Sequence, residues 1–383
     1  MVLLNAASIE TMSRRQLFAW AAAVGAGALL PGCGGSGGSG GESSPLVAQS
    51  WPEAESLFKN DPKWIGGDSA YSIDLGNGRV LWLFGDSFIA NTAARSRSDA
   101  VMVRNAVAIQ TGYDPTKASI QFFWNTSSAK PTSFFSAPSS SSWLWPSDGV
   151  LVGGRLILFL NEIKASSGGL GFQGVGWNVI AIENPNADPT AWTITKLTTT
   201  SQFSLNLGAA AIVIDGYLYA YSSGMTSPGP TYLARWPVSV LATNSLAETQ
   251  WFGGALGWVT ADKLAHGPVA VAEVGQSEFT IFPTSRPEPY LLIQTTGFGA
   301  ASIAYETTSS ITGTYSGVKT FYSPPEMSQS NIMIYSAKMH PELVSPDYDV
   351  VATYCTNSTS FPTLVKDMSL YFPRFIRAKW RSD

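Results

Sequence analysis

Short hydrophobic stretches alternate with turn-forming residues along most of this chain. Each stretch is broken by Gly, Asn, Asp or Pro, and no long stretch places its apolar residues at helical spacing. Alternating apolar and polar positions are typical of strands that have one face buried. The pattern therefore predicts an all-β fold.

Five of these stretches resemble β-hairpins, because two apolar segments flank a turn rich in Gly, Asn, Asp or Pro. The predicted hairpins span residues 71–84, 149–160, 209–221, 279–294 and 334–354. They recur at intervals that fit whole propeller blades rather than the shorter spacing of a β-sandwich. We predict a five-bladed β-propeller, with the β-sandwich as the alternative. In the propeller, blade one would pair with the C-terminal segment 371–380 to remove an open edge.

The first 33 residues have a different pattern. Arg14 and Arg15 precede a short apolar run that ends in the sequence LPGC at residues 30–33. This arrangement is similar to a twin-arginine export signal with a lipobox, and the run is too short to span a bilayer of ~30 Å. We expect an exported protein, periplasmic or at the cell surface, that contacts the membrane only through a lipid on Cys33. Met12 is an alternative start.

Residues 34–50, rich in Gly and Ser at their start, are predicted to form a flexible linker, and residues 51–383 the propeller. The formal net charge of -4 argues against nucleic acid as a partner. Only two cysteines are present, and lipidation of Cys33 would leave Cys355 alone, so no internal disulfide is expected. We expect a monomer.

Two Gly-Asp-Ser triplets flank the first hairpin and contain Asp68 and Asp86. A three-residue loop at residues 76–78 would place these two aspartates directly opposite each other. Like charges in that position are destabilising, so the pair needs a reason such as a shared proton or a catalytic role. The alternative is that each aspartate only accepts hydrogen bonds within its own turn.

The second triplet is also similar to the nucleophile block of GDSL esterases, with Ser87 as the nucleophile. Those enzymes resemble one another in placing an Asp three residues before the catalytic His. His266 and His340 are instead preceded at that spacing by Lys263 and Ala337. A serine hydrolase is therefore a distant alternative.

Lys338, His340 and Glu342 occupy alternate positions near the C-terminus, so an extended strand would place them on one face. We predict that this face lines the central funnel and contacts substrate; a solvated edge, or a structural role for His340, is the alternative. Two histidines without a cysteine or carboxylate cluster argue against a transition metal, and no cofactor is expected. Structural calcium bound by backbone and Asp oxygens stays open.

Aromatic rings can stack on the apolar faces of sugars, and the chain has 13 tryptophans, most of which should lie in the core. Trp145 and Trp177 are the two predicted to contact a glycan. Trp145 begins the motif WPSDG, whose Asp148 is predicted to lie at the same rim as Asp68.

The motifs GDS, LWLFGDSF, WPSDG, AKMHPEL, TYCTN and YFPRF follow one another in this order. In this succession the chain resembles the bacterial domain-of-unknown-function family 4185 over nearly all of its length after the linker. The resemblance implies a five-bladed propeller and, for part of that family, a glycoside hydrolase that cleaves D-arabinan from within the chain. It implies a catalytic carboxylate pair, here Asp68 and Asp86. Cys355 departs from the pattern, because a polar residue is expected there.

The leading hypothesis is a glycoside hydrolase, anchored in the cell envelope, that cleaves a furanose-containing or related polysaccharide. The rival hypothesis is a non-catalytic propeller that binds a glycan in the same funnel. Only the hydrolase requires two essential carboxylates.

Overall fold

The computed structural model describes residues 45–168, 170–200, 202–224 and 228–381. The signal segment and lipidation site at Cys33 predicted from the sequence lie outside the described residues. The strands form five consecutive sheets arranged as the blades of a propeller, as predicted. In the described part of the chain, no helix has both the length and the apolar character that crossing a membrane requires.

The chain begins with β1 (Leu46–Ser50) and helix α1 (Pro52–Lys59), which precede the first blade. Blade I contains β2 (Trp64–Gly76), β3 (Arg79–Ile89), β4 (Val101–Val103), β5 (Ala106–Thr111) and β6 (Ser119–Phe123). Blade II contains β7 (Ser142–Val152), β8 (Arg155–Ala165), β9 (Phe172–Ile182) and β10 (Ile194–Lys196). Between blades II and III, β11 (Thr198–Thr199) pairs in parallel with β15 (Ser245–Leu246).

Blade III contains β12 (Leu205–Ile214), β13 (Tyr217–Gly224), β14 (Gly229–Pro237), β16 (Gln250–Phe252), β17 (Trp258–Val259) and β18 (Ala272–Gly275). Blade IV contains β19 (Thr280–Pro283), β20 (Tyr290–Thr295), β21 (Ile303–Thr308) and β22 (Lys319–Tyr322). Blade V contains β23 (Ile332–Met339), β24 (Val350–Ser358) and β25 (Arg374–Trp380), with helix α2 (Phe361–Lys366) before β25. Short 3₁₀ helices cover Arg97–Asp99, Pro189–Ala191, Val238–Thr243, Gly254–Leu256, Ala261–Lys263 and Pro325–Ser328.

The five predicted hairpins are the first two strands of the five blades, namely β2–β3, β7–β8, β12–β13, β19–β20 and β23–β24. The loop of the first hairpin differs from the prediction. Gly76 pairs with Arg79, so the loop has two residues, Asn77 and Gly78, with φ of 53° and 76°. Positive φ at both positions is what a two-residue type I′ turn requires.

The propeller is closed by β1, which pairs antiparallel with β25 from Leu46 opposite Trp380 to Ser50 opposite Ile376. Blade V therefore combines both ends of the described chain, and the segment that meets β25 precedes blade I rather than belonging to it. The predicted linker extended to residue 50, and this boundary is wrong, because residues 46–50 are a strand of blade V. Pairing here satisfies backbone groups that an open sheet edge would expose.

Apolar side chains fill the spaces between neighbouring blades. Helix α1 contributes to the space between blades I and V, where Phe58 is fully buried with its ring centroid 4.8 Å from that of Trp82 and 5.6 Å from that of Phe375. The helix begins with Pro52, whose fixed φ suits the first turn, and has Glu53 in the same turn. Blades I and V are thus joined by a continuous aromatic core.

Removal of β1 should destabilise the closed ring. A variant lacking residues 1–50 loses the ladder to β25 and the burial of Leu46, which is 1% exposed. We expect its free energy of unfolding to fall by at least about 2 kcal/mol, the contribution of one buried leucine. Urea unfolding monitored by tryptophan fluorescence would measure this against a variant lacking residues 1–44. Equal midpoints for the two variants would show that β1 does not contribute to closure.

Candidate active site

Three carboxylates lie close together at one end of the propeller. Asp68 is on β2, Asp86 is on β3, and Glu278 lies in the connection between β18 and β19. The negative charges of Asp86 and Glu278 both raise the pKa of Asp68. Sequence reasoning found the two aspartates but missed Glu278. The available signal was its place directly before the fourth hairpin, comparable to that of Asp68 before the first.

Asp68 is held by two tyrosines from blade V. The hydroxyls of Tyr335 and Tyr371 donate hydrogen bonds of 2.8 and 3.0 Å to the same oxygen, Oδ2. Burial is the largest cause that raises the pKa of Asp68 to about 8, followed by the charges of Asp86 and Glu278, while the two hydroxyls lower it. Asp68 is therefore protonated at neutral pH. Both hydroxyls reach Oδ2, so Oδ1 is the oxygen that these tyrosines do not contact.

A backbone irregularity in β2 positions Asp68. Gly67 pairs with Ser87 and Ser69 pairs with Phe84, so one residue of β2 faces two residues of β3. The following residues, Ser69 and Ala70, have φ of 66° and 55°, which is unfavourable for side chains other than glycine. This bulge interrupts the alternation of the strand and aims Asp68 at blade V.

Gly85 provides the space for the carboxyl group of Asp68. A Cβ atom at this position would lie 2.6 Å from Asp68 Oδ1, closer than any real contact. The Gly-Asp-Ser triplet on β3 is thus explained in part by sterics. Gly85 leaves room for the carboxyl group of Asp68, and the next residue, Asp86, is itself the second carboxylate of the site.

Asp86 has partners of a different kind. Arg104 Nη1 donates to Asp86 Oδ2 at 2.9 Å, and Trp145 Nε1 donates to Oδ1 at 2.9 Å. Arg104 also lies 4.4 Å from the ring centroid of Trp143, which fixes its guanidinium group from the other side. The two aspartates therefore sit in opposite environments, Asp68 beside neutral hydroxyls and Asp86 beside a cation.

Lys338 lies beneath the site and is fully buried. Its Nζ donates to the carbonyl oxygen of Ser69 at 2.6 Å and lies 3.5 Å from Glu278 Oε2, while Ser69 Oγ donates to Glu278 Oε1 at 2.6 Å. It also lies 4.2 Å from the ring centroid of Tyr71. Lys338 thus links the bulge that carries Asp68 to the third carboxylate.

The prediction that Lys338, His340 and Glu342 line the funnel is wrong for the first two, because both are fully buried between blades V and I. His340 Nδ1 lies 2.6 Å from Ser72 Oγ and Nε2 lies 2.7 Å from Thr353 Oγ1. Burial, then the charge of Lys338, lowers the pKa of His340 to about 3, so it is a neutral structural residue. From blade V it is Tyr335 and Tyr371, rather than His340, that reach Asp68.

Glu342 is half-buried in the connection between β23 and β24, two residues after His340. Burial is the largest cause that raises its pKa to about 7, and a hydrogen bond with Ser72 opposes the rise. Glu342 is not among the charges that act on Asp68, so it does not join the three carboxylates.

Two further site predictions need correction. Trp177 is 5% exposed and packs between blades II and III, with its ring centroid 6.2 Å from that of Phe159, so it is a core residue rather than a sugar platform. Asp148 is 9% exposed and accepts hydrogen bonds of 2.8 Å from the backbone N–H groups of Gly149 and Ala211. Asp148 therefore connects blade II to blade III. Trp145 remains beside the carboxylates.

The described residues include no group of three or more His, Cys, Asp or Glu side chains arranged to hold a metal ion. What they bring together is a carboxyl group whose pKa is raised to about 8, a carboxylate paired with an arginine, and a third carboxylate within Coulombic range of the first. Such a set can protonate one atom of a ligand while it stabilises positive charge or activates water at another.

A solved structure with the same fold is a candidate hydrolase from Bacteroides ovatus ATCC 8483. It is 17% identical with a TM-score of 0.68, and the superposition covers 89% of this chain and 92% of the hydrolase chain. An α-L-arabinofuranosidase from Lactobacillus brevis is 11% identical with a TM-score of 0.47, over 86% and 95% of the two chains. The catalytic domain of an α-L-arabinofuranosidase from Coprinopsis cinerea is 13% identical with a TM-score of 0.46, over 88% and 95%. The similarity to the Bacteroides ovatus structure shows that the two chains share a fold.

No curated protein matches the chain significantly in sequence. The family model described as "Domain of unknown function (DUF5005)" matches residues 53–380, which is nearly the whole propeller. This label differs from the family 4185 to which the motifs are similar, and the family 4185 assignment is not confirmed.

Proposed function

We propose that this protein, which belongs to the family described as "Domain of unknown function (DUF5005)", is a glycoside hydrolase. The observation that carries the proposal is the opposite environment of two neighbouring carboxyl groups. Asp68 has a pKa of about 8, and Asp86 is ion-paired with Arg104. Glycosidases divide their work in this way between one protonated and one ionised carboxyl group.

In this proposal Asp68 is the general acid. Its proton passes to the glycosidic oxygen as the bond from that oxygen to the anomeric carbon breaks, and the leaving sugar departs as an alcohol. Asp86 acts at the anomeric carbon, either as the nucleophile or as the base that removes a proton from water. Burial is the main cause of the raised pKa of Asp68, and Glu278 adds to it a second negative charge after that of Asp86.

The charges of the site favour an uncharged substrate. Its two cations are already engaged, Arg104 by Asp86 and Lys338 by Glu278. A carboxylate on the sugar would therefore face three acidic side chains without a free cation among the described residues around them. We infer that the substrate is a neutral polysaccharide, and the motif resemblance favours one that contains furanose units.

Incubation of the purified domain with neutral and acidic polysaccharides, followed by measurement of released reducing ends, tests the proposal. We expect release from a neutral furanose polymer such as arabinan and none from polygalacturonate. Tight binding without release would instead favour the non-catalytic glycan-binding propeller. Release from the acidic polymer alone would contradict the charge argument.

The proposal includes export and anchoring, which depend on separate residues of the N-terminal segment. Replacement of Arg14 and Arg15 with lysine should leave the precursor in the cytoplasm, because twin-arginine signals require the arginine pair. Cys33→Ala should release a soluble exported form, since the lipid would have no attachment site. Cell fractionation and immunoblotting measure both. Parental fractionation of both variants would show that the signal is not of this type.

A further inference from the structure

A single phenylalanine is exposed in the connection between β20 and β21. Phe298 is 40% exposed and stands between Gly297 and Gly299. The connection is fixed to blade V, because Gly299 exchanges backbone hydrogen bonds with Ile334, of 3.3 Å from Gly299 N and 2.8 Å from Ile334 N. The aromatic ring is therefore presented at a defined position.

Phe298 lies next to the proposed acid. Its ring centroid is 5.3 Å from that of Tyr335, at an interplanar angle of 50°, and the Tyr335 hydroxyl donates to Asp68 Oδ2 at 2.8 Å. One side chain thus separates an exposed aromatic surface from the carboxyl group that would protonate the glycosidic oxygen. On the other side of the site, Trp145 contacts Asp86.

Exposure alone does not distinguish Phe298. Phe282, in the same blade, is 36% exposed. It lies at the end of β19 that leads into the β19–β20 turn, whereas Glu278 and Phe298 lie at the other end of the blade. Of these two phenylalanines, Phe298 is the one that lies beside the carboxylate site.

We propose that Phe298 is a specificity-determining residue that stacks on an uncharged sugar ring bound on the Asp68 side of the site. This inference rests on the proposed function. The C–H groups on one face of a sugar ring form an apolar surface, and covering an exposed aromatic ring with that surface removes both from water. The connection beside Phe298 is open, since no atom other than those of the chain neighbours lies within 4 Å of the place where a Cβ at either flanking glycine would stand.

Binding of soluble arabinan in affinity gels tests the inference in an Asp86→Asn background, where the polymer is not cleaved. Phe298→Ala should weaken binding about tenfold, the equivalent of roughly 1.4 kcal/mol. Phe298→Trp should bind like the background because it keeps an aromatic face. Phe282→Ala is the matched control and should also bind like the background. Thermal unfolding of each variant confirms that all are folded.

Three results are distinguishable. Weaker binding by Phe298→Ala alone supports the inference. Equal binding by Phe298→Ala and Phe282→Ala overturns it and leaves the proposed hydrolase intact. Failure of the Asp86→Asn background to bind arabinan, together with no cleavage by the parent, counts against the proposed function, and the inference is then rejected with it.

Discussion

Asp68→Asn should abolish turnover while it makes the domain more stable at neutral pH. The amide cannot donate the acidic proton, and loss of general acid catalysis costs typically 10²–10⁴-fold in rate. Asp86→Asn should be similarly inactive, because the amide is neither a nucleophile nor a base. Initial rates of reducing-end release from the active polysaccharide would measure both losses. Asp262→Asn, at an exposed position far from the site in sequence, is the control and should keep parental activity.

The stability change follows from the pKa of Asp68, which rises from 3.8 to about 8 on folding. The folded state holds the proton more tightly than the unfolded chain, so ionisation of Asp68 lowers the free energy of unfolding. This penalty is absent below pH 4, grows between pH 4 and 8 as the unfolded chain loses its proton, and is constant above pH 8. Asp68→Asn removes this penalty, so we expect a gain of about 1–3 kcal/mol at pH 7 and none at pH 4. Thermal unfolding at the two pH values checks the sign.

Asp86→Asn should not show that gain. Like-charge repulsion alone would predict stabilisation for both variants, but Asp86 is paired with Arg104 at 2.9 Å and its loss leaves that cation without its carboxylate. Parental activity in both variants would reject the catalytic role and favour glycan binding. The pH profile gives a separate check, because activity of the parent should fall as the pH rises through about 8, where Asp68 loses its proton.

Arg97→Met should strongly destabilise the domain. Arg97 is 2% exposed and donates hydrogen bonds to four backbone carbonyl oxygens, which are those of Ile65, Leu364, Asp367 and Leu370, at 3.0, 2.8, 3.0 and 2.5 Å. Methionine fills a similar volume but leaves these oxygens without a donor. We expect a loss of about 3–5 kcal/mol in the free energy of unfolding, measured by urea titration.

Two controls separate this effect from a general loss of arginine. Arg97→Lys keeps the charge but has three donors on one nitrogen, so it should recover only part of the stability. Arg79→Met removes a more accessible arginine that donates to the Asn186 carbonyl at 2.7 Å, and should cost about 1 kcal/mol or less. A loss at Arg97 no larger than that at Arg79 would show that the four hydrogen bonds do not hold blades I and V together.

The propeller could be predicted from the sequence because Gly, Asn and Asp mark its turns. Asn77-Gly78, Gly153-Gly154 and Asp215-Gly216 mark three hairpins directly, and the strands beside them alternate as the pleat requires. The same register brought Asp68 near Asp86. These are local signals, so they can be read without knowledge of the rest of the chain.

The remainder of the site depends on contacts between distant segments. Glu278 and Tyr371 approach Asp68 from other blades. Glu278 directly precedes a hairpin and Tyr371 begins the motif YFPRF, but neither position shows that the side chain meets Asp68. The left-handed backbone at Ser69 and Ser336 could not be predicted either, because neither residue is glycine. Lys338 and His340 were placed on the correct segment but in the wrong environment. A strand pattern reports alternation, and it does not reveal that a bulge turns these side chains into the core.

The pairing of β1 with β25 has a consequence for the order of folding. Leu46 is among the first residues of the domain to be synthesised, and its partner Trp380 is among the last. The ring therefore closes only after β25 has been synthesised, through a contact of very high sequence separation that slows folding. Until the ring closes, β25 offers an open strand edge, to which β1 of a second molecule can pair as well as its own. At high concentration, refolding should therefore yield domain-swapped oligomers through this one strand.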